Sequence, residues 1–590
     1  MIYRQEHPRP QFMRDNWVNL NGTWEFEIDH GASGIARKLF EKEHLDGTIN
    51  VPFCPESKLS GVAYKDFMRA VWYRRDVTVP ETWVGKRVIL HFGAVDYLAT
   101  VYVNGQQVGQ HVGGYSSFEF DITDALHDGV NSLCVRAYDD TTSKKQPTGK
   151  QAIGYHSSGC YYTRTTGIWQ TVWLEAVDPI FIKSARYYPN ISNGSVDIEL
   201  NPSTIDRDAT VTAEAFFEGK PMGKASAKLD GAAPRLHIDL KEAHLWDVGA
   251  GNLYDLTLTV EKDGKVLDTV HSYFGLREVG LKGVAFCVNG RPVFGRWVLD
   301  QGFYPDGVYT APTDEDLKND ILYSLQLGFN GARLHEKIFE ERFLYHADKL
   351  GYLVWGEFPN WGYDAQLASA DAFLPEWIEA VNRDFNHPSI IGWCPFNETW
   401  NVGEGNSIDG GPNAHPQDKC LLLLTYRTTK AIDPTRPCID TSGNYHCAET
   451  DMYDVHDYCQ DVVKFAEYYS QVGEGIVRDQ VERNEKLRPL QYPFKKGQPL
   501  FVSEYGGMRW TQEDAGWGYG NAPKTEEEFL TRYKGLTDVL LDNPYILGFC
   551  YTQLYDVEQE QNGLMTYERK FKFDPQKFYE INTKKAAIEE

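Results

Sequence analysis

The chain has 590 residues, 42% of them hydrophobic and 24% charged, with 84 acidic against 59 basic side chains and a formal charge of −25. That length exceeds what one hydrophobic core supports, so about two to four domains are expected, and the composition excludes a disordered or low-complexity chain. The acidic balance argues against a polyanion-binding role, so nucleic acid is not an expected partner.

The start, Met1-Ile-Tyr-Arg-Gln-Glu-His-Pro8, carries no apolar core of a signal peptide, and no stretch reaches the roughly 20 apolar residues that span a bilayer. The ten cysteines form no CxxC pair or zinc-like cluster, which reads as reduced thiols in a cytoplasmic protein. No membrane partner, structural metal or cofactor is expected. Nothing in the sequence sets the oligomeric state, and a homo-oligomer stays open.

In chain order, strand-like runs come first. Residues 71–79, 87–92 and 99–103 are alternating or β-branched, and Asn104-Gly105 after the third is a type I′ hairpin signal. Further strands at 117–122, 132–137 and 169–176, with no long helix, predict a jelly-roll β-sandwich over 1–179. Strands at 195–200, 210–216, 235–240 and 254–260 between Gly, Asp and Lys turns predict a small immunoglobulin-like sandwich over 180–276. Beyond it, apolar strands at 293–299, 331–334, 352–355, 390–396, 438–441, 452–456, 500–503 and 546–551 mostly alternate with amphipathic segments, such as 314–327, 339–350, 377–386 and 417–431. Eight such strands predict a (β/α)₈ TIM barrel over 277–590, with little room for a helix between strands five and six.

Barrel active sites lie at the C-terminal ends of the strands. Those ends carry Asp300, Arg333, His335, Glu336, Glu357, Asn397, Glu398, Asn444, His456, Tyr458, Glu504, Tyr551 and Asp556. Any one of them taken singly reads as a cap or loop charge; a ring of them does not. Glu398 closes strand four and Glu504 closes strand seven, so they face each other across the mouth. Facing carboxylates about 5 Å apart are what a retaining glycosidase needs. The alternative is a divalent metal site with Asp300 or His456 as a third ligand.

Several motifs carry a family resemblance: Leu20-Asn-Gly-Thr-Trp24, Val51-Pro-Phe53, Val71-Trp-Tyr73, Val101-Tyr-Val-Asn-Gly105, Gly113-Gly-Tyr-Ser116 and Gly167-Ile-Trp-Gln170, then Asn386-His-Pro-Ser-Ile390 leading to Phe396-Asn-Glu398, and Phe501-Val-Ser-Glu-Tyr-Gly506. Over essentially its full length the chain resembles glycoside hydrolase family 2, the family of β-galactosidases, β-glucuronidases and β-mannosidases. The resemblance implies Glu398 as acid/base and Glu504 as nucleophile. Substrate-binding candidates are Asp300, Arg333, His335, Trp361, Asn397, His456, Tyr458 and Tyr551.

The chain also departs from the family's pattern. Leu334-His-Glu-Lys337 stands where galactosidases and glucuronidases carry Ser-His-Tyr-Pro, Tyr551 stands where they place a Trp, and Gln561-Asn-Gly-Leu-Met565 lacks the glucuronidase Asn-x-Lys. Arg333 and Lys337 are the only evident cations at the strand ends, and Arg333 better suits orienting a glutamate. The expected activity is therefore a retaining exo-β-glycosidase favouring a neutral, galactoside-like terminal sugar. The alternatives are a uronidase or pentopyranosidase of the same family, or a carbohydrate-binding protein without catalysis.

Overall fold

Alternating apolar residues in the first third fold into two antiparallel sheets of a jelly-roll sandwich. One has the strand order Trp17–Asn19, Val172–Val177, Arg87–Phe92, Phe118–Asp121; the other has Gly47–Val51, Gly22–Ile28, Ala70–Thr78, Val130–Tyr138, Leu98–Val103, Gln106–Val112. Trp24, Tyr73, Leu90, Phe92, Val101 and Leu174 pack between them. Asn104 and Gly105 reverse the chain with φ of 51° and 78°, the two left-handed positions of the predicted hairpin turn. The computed structural model describes residues 3–364, 368–401, 416–417, 419–443, 446–477, 492–511 and 516–590.

The immunoglobulin-like sandwich follows. Its sheets are Ile182–Asn190, Ser195–Pro202, Arg235–Asp239 and Lys220–Leu229, Asp206–Phe217, Tyr254–Lys262, Lys265–Phe274. A small three-stranded sheet from Val279 to Pro292, which the sequence reading did not include, then places Phe286 and Val288 against Trp297 and Leu547 of the barrel interior.

The barrel strands pair in parallel in the order Ile390–Cys394, Leu353–Glu357, Gly331–Leu334, Gly295–Asp300, Ile546–Thr552, Leu500–Gly506, Tyr453–Asp457. The predicted fifth strand is not regular. It closes the ring through single bridges, Trp393 to Cys438 and Asn397 to Ser442, and through Asp451 N donating to Cys438 O at 3.2 Å. Asp440 explains the interruption: its carboxylate takes His446 Nδ1 and Cys447 N, tying this segment into a local turn. No helix lies between it and the next strand among the described residues.

Outside run the helices Asp314–Gln326, Glu341–Leu350, Leu374–Asp384, Lys419–Ile432, Val462–Tyr469, Glu526–Leu541 and Pro575–Asn582. The first starts where Thr313 and Asp316 form a capping box, and the second ends at Gly351 in the left-handed conformation. Each barrel strand is buried on both sides, which is why the strands read as continuous apolar runs. Trp297, Trp355 and Phe501 fill the interior with ring centroids 4.9 to 5.8 Å apart. Gly392 makes room for them, since a Cβ there would fall 2.2 Å from the Trp355 ring. No helix among the described residues is long and apolar enough to cross a membrane, and all ten cysteines are free.

Candidate active site

Glu504 lies within the seventh strand, with its side chain 4% exposed. Glu398 lies four residues beyond the fourth strand, where the Asn397 to Ser442 bridge and its own N–H to Ser442 O (2.8 Å) hold it. Its φ is 46°, a left-handed conformation that costs a glutamate roughly 1–3 kcal/mol and concentrates at functional sites. One carboxylate oxygen of Glu398, one of Glu504 and one ring nitrogen of His456 lie within 4.8 Å of one another.

His456 Nδ1 is 3.0 Å from Glu398 and 3.4 Å from Glu504. Its other nitrogen, Nε2, is 3.0 Å from the Ser442 hydroxyl, whose hydrogen goes to the Asp454 carboxylate at 2.7 Å. Ser442 must then accept from Nε2, while Nδ1 meets carboxylates that only accept, so both ring nitrogens carry hydrogen. Burial alone would lower the His456 pKa, but the Glu504 charge and the Glu398 hydrogen bond raise it. The reverse holds for Glu398: burial would raise its carboxyl, and the hydrogen bond and charge of His456, followed by Lys150, lower it. An imidazolium is a poor metal ligand, so a divalent ion at this trio would first have to expel a proton that two carboxylates hold.

Arg333 sits beneath, fully buried. It donates to Glu357, to Ser503 O (2.8 Å), to Glu504 Oε1 (3.2 Å) and to Asn397 Oδ1 (3.2 Å). His335 Nδ1 donates to the other Glu357 oxygen at 3.0 Å; burial and then the Lys150 charge push its pKa down, so it is the neutral histidine of the site. Tyr458 donates its hydroxyl to Glu504 and stacks on Tyr519. The Trp361 indole donates to Asn397 O at 3.1 Å, and Asn397 Nδ2 is buried with no partner among the described residues. Arg333, His335, Trp361, Asn397, His456 and Tyr458 are thus gathered around the two glutamates.

Two candidates are not. Asp300 accepts from Tyr555 and from Gly302 N (2.9 Å) in a separate group with Asp320 and Arg569, so it adds no oxygen to the glutamate pair. Tyr551 faces the helix layer, packed between Tyr505 and Tyr533, because side chains alternate along the eighth strand: Cys550 points in and Tyr551 out. Thr552 takes the mouth-facing place, 3.1 Å from the Tyr458 hydroxyl. Lys337, read as a cation at the strand end, turns away to Gly302 O and Tyr309 O (2.9 Å). Asp556 pairs with Lys572 at 2.6 Å. Glu336 holds Trp361 N at 3.2 Å, with its second oxygen unpaired and its carboxyl raised by burial. Asn444 lies outside the described residues.

The sequence reading missed a whole wall. A loop of the N-terminal sandwich docks on the barrel mouth, with Thr148 N and Gly149 N donating to Trp361 O at 2.7 and 3.1 Å. Beyond it, Tyr162 donates to Glu560 and Tyr161 packs on Trp361. Lys150 rises from this loop with its Nζ 3.5 Å from the Trp361 ring centre. No local pattern around residue 150 marks it, because the Trp361 ring it rests on lies more than 200 positions away.

Known proteins place the chain. Family models match residues 17–148 (Glycosyl hydrolases family 2, sugar binding domain), 180–277 (Glycosyl hydrolases family 2) and 281–517 (Glycosyl hydrolases family 2, TIM barrel domain). A β-glucuronidase of Paenibacillus borealis is 24% identical over 579 residues, covering 88% of each chain. A β-galactosidase of Thermoanaerobacter pseudethanolicus is 26% identical over 390 residues, covering 64% of this chain and 49% of that relative. The structure of a Ruminococcus gnavus β-glucuronidase in complex with D-glucuronic acid superposes with a TM-score of 0.78 at 18% identity, over 98% of this chain and all of that one. With family models matched along most of its length and two glutamates facing across the barrel mouth, the chain belongs to glycosyl hydrolase family 2, a family of O-glycoside hydrolases.

Proposed function

We propose that the chain is a retaining exo-β-glycosidase, with Glu504 as nucleophile and Glu398 as acid/base. The separation of the two carboxylates carries this reading: oxygens within 4.8 Å match the spacing of about 5–5.5 Å for a covalent intermediate, not the ~6.5–9.5 Å that leaves room for an inverting water. Glu504, aligned by Arg333 and Tyr458, attacks the anomeric carbon as the bond to the leaving oxygen breaks. Glu398 protonates that oxygen. The proton comes from the Glu398–His456 pair, because forming the ester removes one of the two negative charges that hold it on the imidazole. Water then attacks the intermediate, giving its proton to Glu398 and releasing Glu504. The sandwich loop walls one side of the mouth, which suits a terminal sugar.

The relatives include both a β-glucuronidase and a β-galactosidase, so the neutral, galactoside-like preference expected from the sequence stands beside a uronide. The neutral reading assumed that no uncommitted cation faces the carboxylates, and Lys150 weighs against that assumption. We place the protein in the cytoplasm, on its ten free cysteines. Proton NMR of the first-formed anomer tests the mechanism. Retention is expected, and the inverted anomer overturns the assignment of Glu504 as nucleophile.

A further inference from the structure

The barrel mouth holds two kinds of cation. Arg333 is spent on Glu357, Glu504 and Asn397, and Lys337 on backbone carbonyls. Lys150 is bonded to no carboxylate or carbonyl among the described residues. Its residue is 4% exposed, yet its ammonium takes no hydrogen-bond or ion-pair partner among the described residues and rests only on the Trp361 ring. The backbone beneath it is fixed. Gly149 N reaches Pro359 O at 3.1 Å, and Tyr162 N reaches Lys150 O at 2.7 Å. Gly149 has a φ of +56°, and a Cβ there would fall 2.5 Å from Glu336 O, so only glycine allows this approach.

No carboxylate around Lys150 is bonded to it among the described residues, and it acts on Glu336, Glu560 and Glu398 through its charge alone. Glu560 is held by Tyr162 and by Asn562 Nδ2 (3.0 Å), Glu398 by His456, and Glu336 accepts from Trp361 N. Burial alone would lower the Lys150 pKa, but the charges of Cys160, Glu398, Glu560 and Glu336 raise it, so the ammonium stays charged while its hydrogens take no acceptor among the described residues, and a bound anion can take them. Arg333 and His456 are held by the glutamates they neutralise, which leaves Lys150 as the cation that an acidic sugar can engage.

We propose that Lys150, brought in by the sandwich domain, reads an acidic substituent of the bound sugar, so that the substrate is a β-glycoside whose terminal sugar carries a carboxylate or a sulfate ester. This rests on the glycosidase reading above. Lys150→Met keeps the stem on Trp361 and removes the charge. The comparison is kcat/KM for nitrophenyl β-glucuronide, β-galacturonide and 6-sulfo-β-galactoside against β-glucoside and β-galactoside. The wild type should favour an acidic sugar over its neutral counterpart at least about tenfold; Lys150→Met should lose at least about thirtyfold more on the acidic sugar than on the neutral ones, which lose only what its charge contributes through Glu398, and Lys150→Arg should recover part of the difference. Whether the uronides or the sulfated galactoside carry the effect identifies the anion. A wild type that prefers neutral sugars, or a Lys150→Met loss equal on both kinds, overturns the proposal. Calorimetric binding of D-glucuronate, D-galacturonate and galactose 6-sulfate to Glu504→Gln needs no turnover. Binding of one of these that Lys150→Met abolishes supports the proposal even if the mechanism is otherwise, and binding of none of them overturns it even if the enzyme hydrolyses neutral glycosides.

Discussion

The two walls of the active site are built differently. One comes from the barrel, where strand ends deliver Glu504, Glu398, Arg333 and His456 into a network of hydrogen bonds that fixes each proton. The other is a single loop of the sandwich, pinned by backbone bonds to residues 359–361, and it brings in an ammonium that takes no hydrogen-bond or ion-pair partner among the described residues. A network that already orients Glu504, Glu398, Arg333 and His456 sets the chemistry before substrate arrives. An unsaturated wall leaves a charge for the substrate to satisfy. Reaction type and sugar choice therefore sit on different domains and should break separately.

The largest expected effect is on the barrel wall. Glu504→Gln should lose about 10⁴-fold or more in kcat on acidic and neutral sugars alike, because the two-step route through an ester disappears. Activity near wild type in a folded variant would remove Glu504 from the reaction. Glu398→Ala should fall by about 10²–10⁴-fold on poor leaving groups and much less on dinitrophenyl glycosides, with azide restoring turnover. Equal losses on both leaving groups, without rescue, would argue that Glu398 moves no proton.

His456 gives a smaller effect with a sharper signature. Its pKa is raised and its proton is required, so activity should persist below that value and fall as pH rises through it, above the ordinary histidine value of about 6.5. In His456→Gln the proton must sit on Glu398 itself, and the alkaline limb of kcat/KM should move to lower pH. An unchanged alkaline limb would take the proton off His456. The smallest effect belongs to Tyr551→Phe. Its ring is buried and faces the helices, away from the glutamates, so kcat should stay within about twofold. A large loss of kcat would mean that the ring reaches the mouth after all.

The sequence made the barrel wall legible because apolar runs end abruptly in polar residues, as at Phe396-Asn-Glu398 and Val502-Ser-Glu504. Counting residues to the end of a strand was not enough at Tyr551, where the twofold alternation decides the face and Thr552 takes the mouth. Asp300 closes its strand as expected, but Tyr555 and Gly302 claim its carboxylate. Lys150 carried no signal at all. Its place depends on the Trp361 ring, on the Tyr162 N bond to its own carbonyl and on the Gly149 N bond to Pro359 O, and nothing in the run Thr148-Gly-Lys-Gln-Ala152 points across two domains.

The most direct test of the central claim is to trap the intermediate. Incubation with a dinitrophenyl 2-deoxy-2-fluoro-β-glycoside of the preferred sugar should release one equivalent of dinitrophenol and then stop, since the fluorine slows both steps and the activated leaving group restores the rate of the first alone. Mass spectrometry of the digest should then find one fluorosugar on the peptide carrying Glu504. A label on Glu398, or full inactivation with no covalent sugar, would contradict the account.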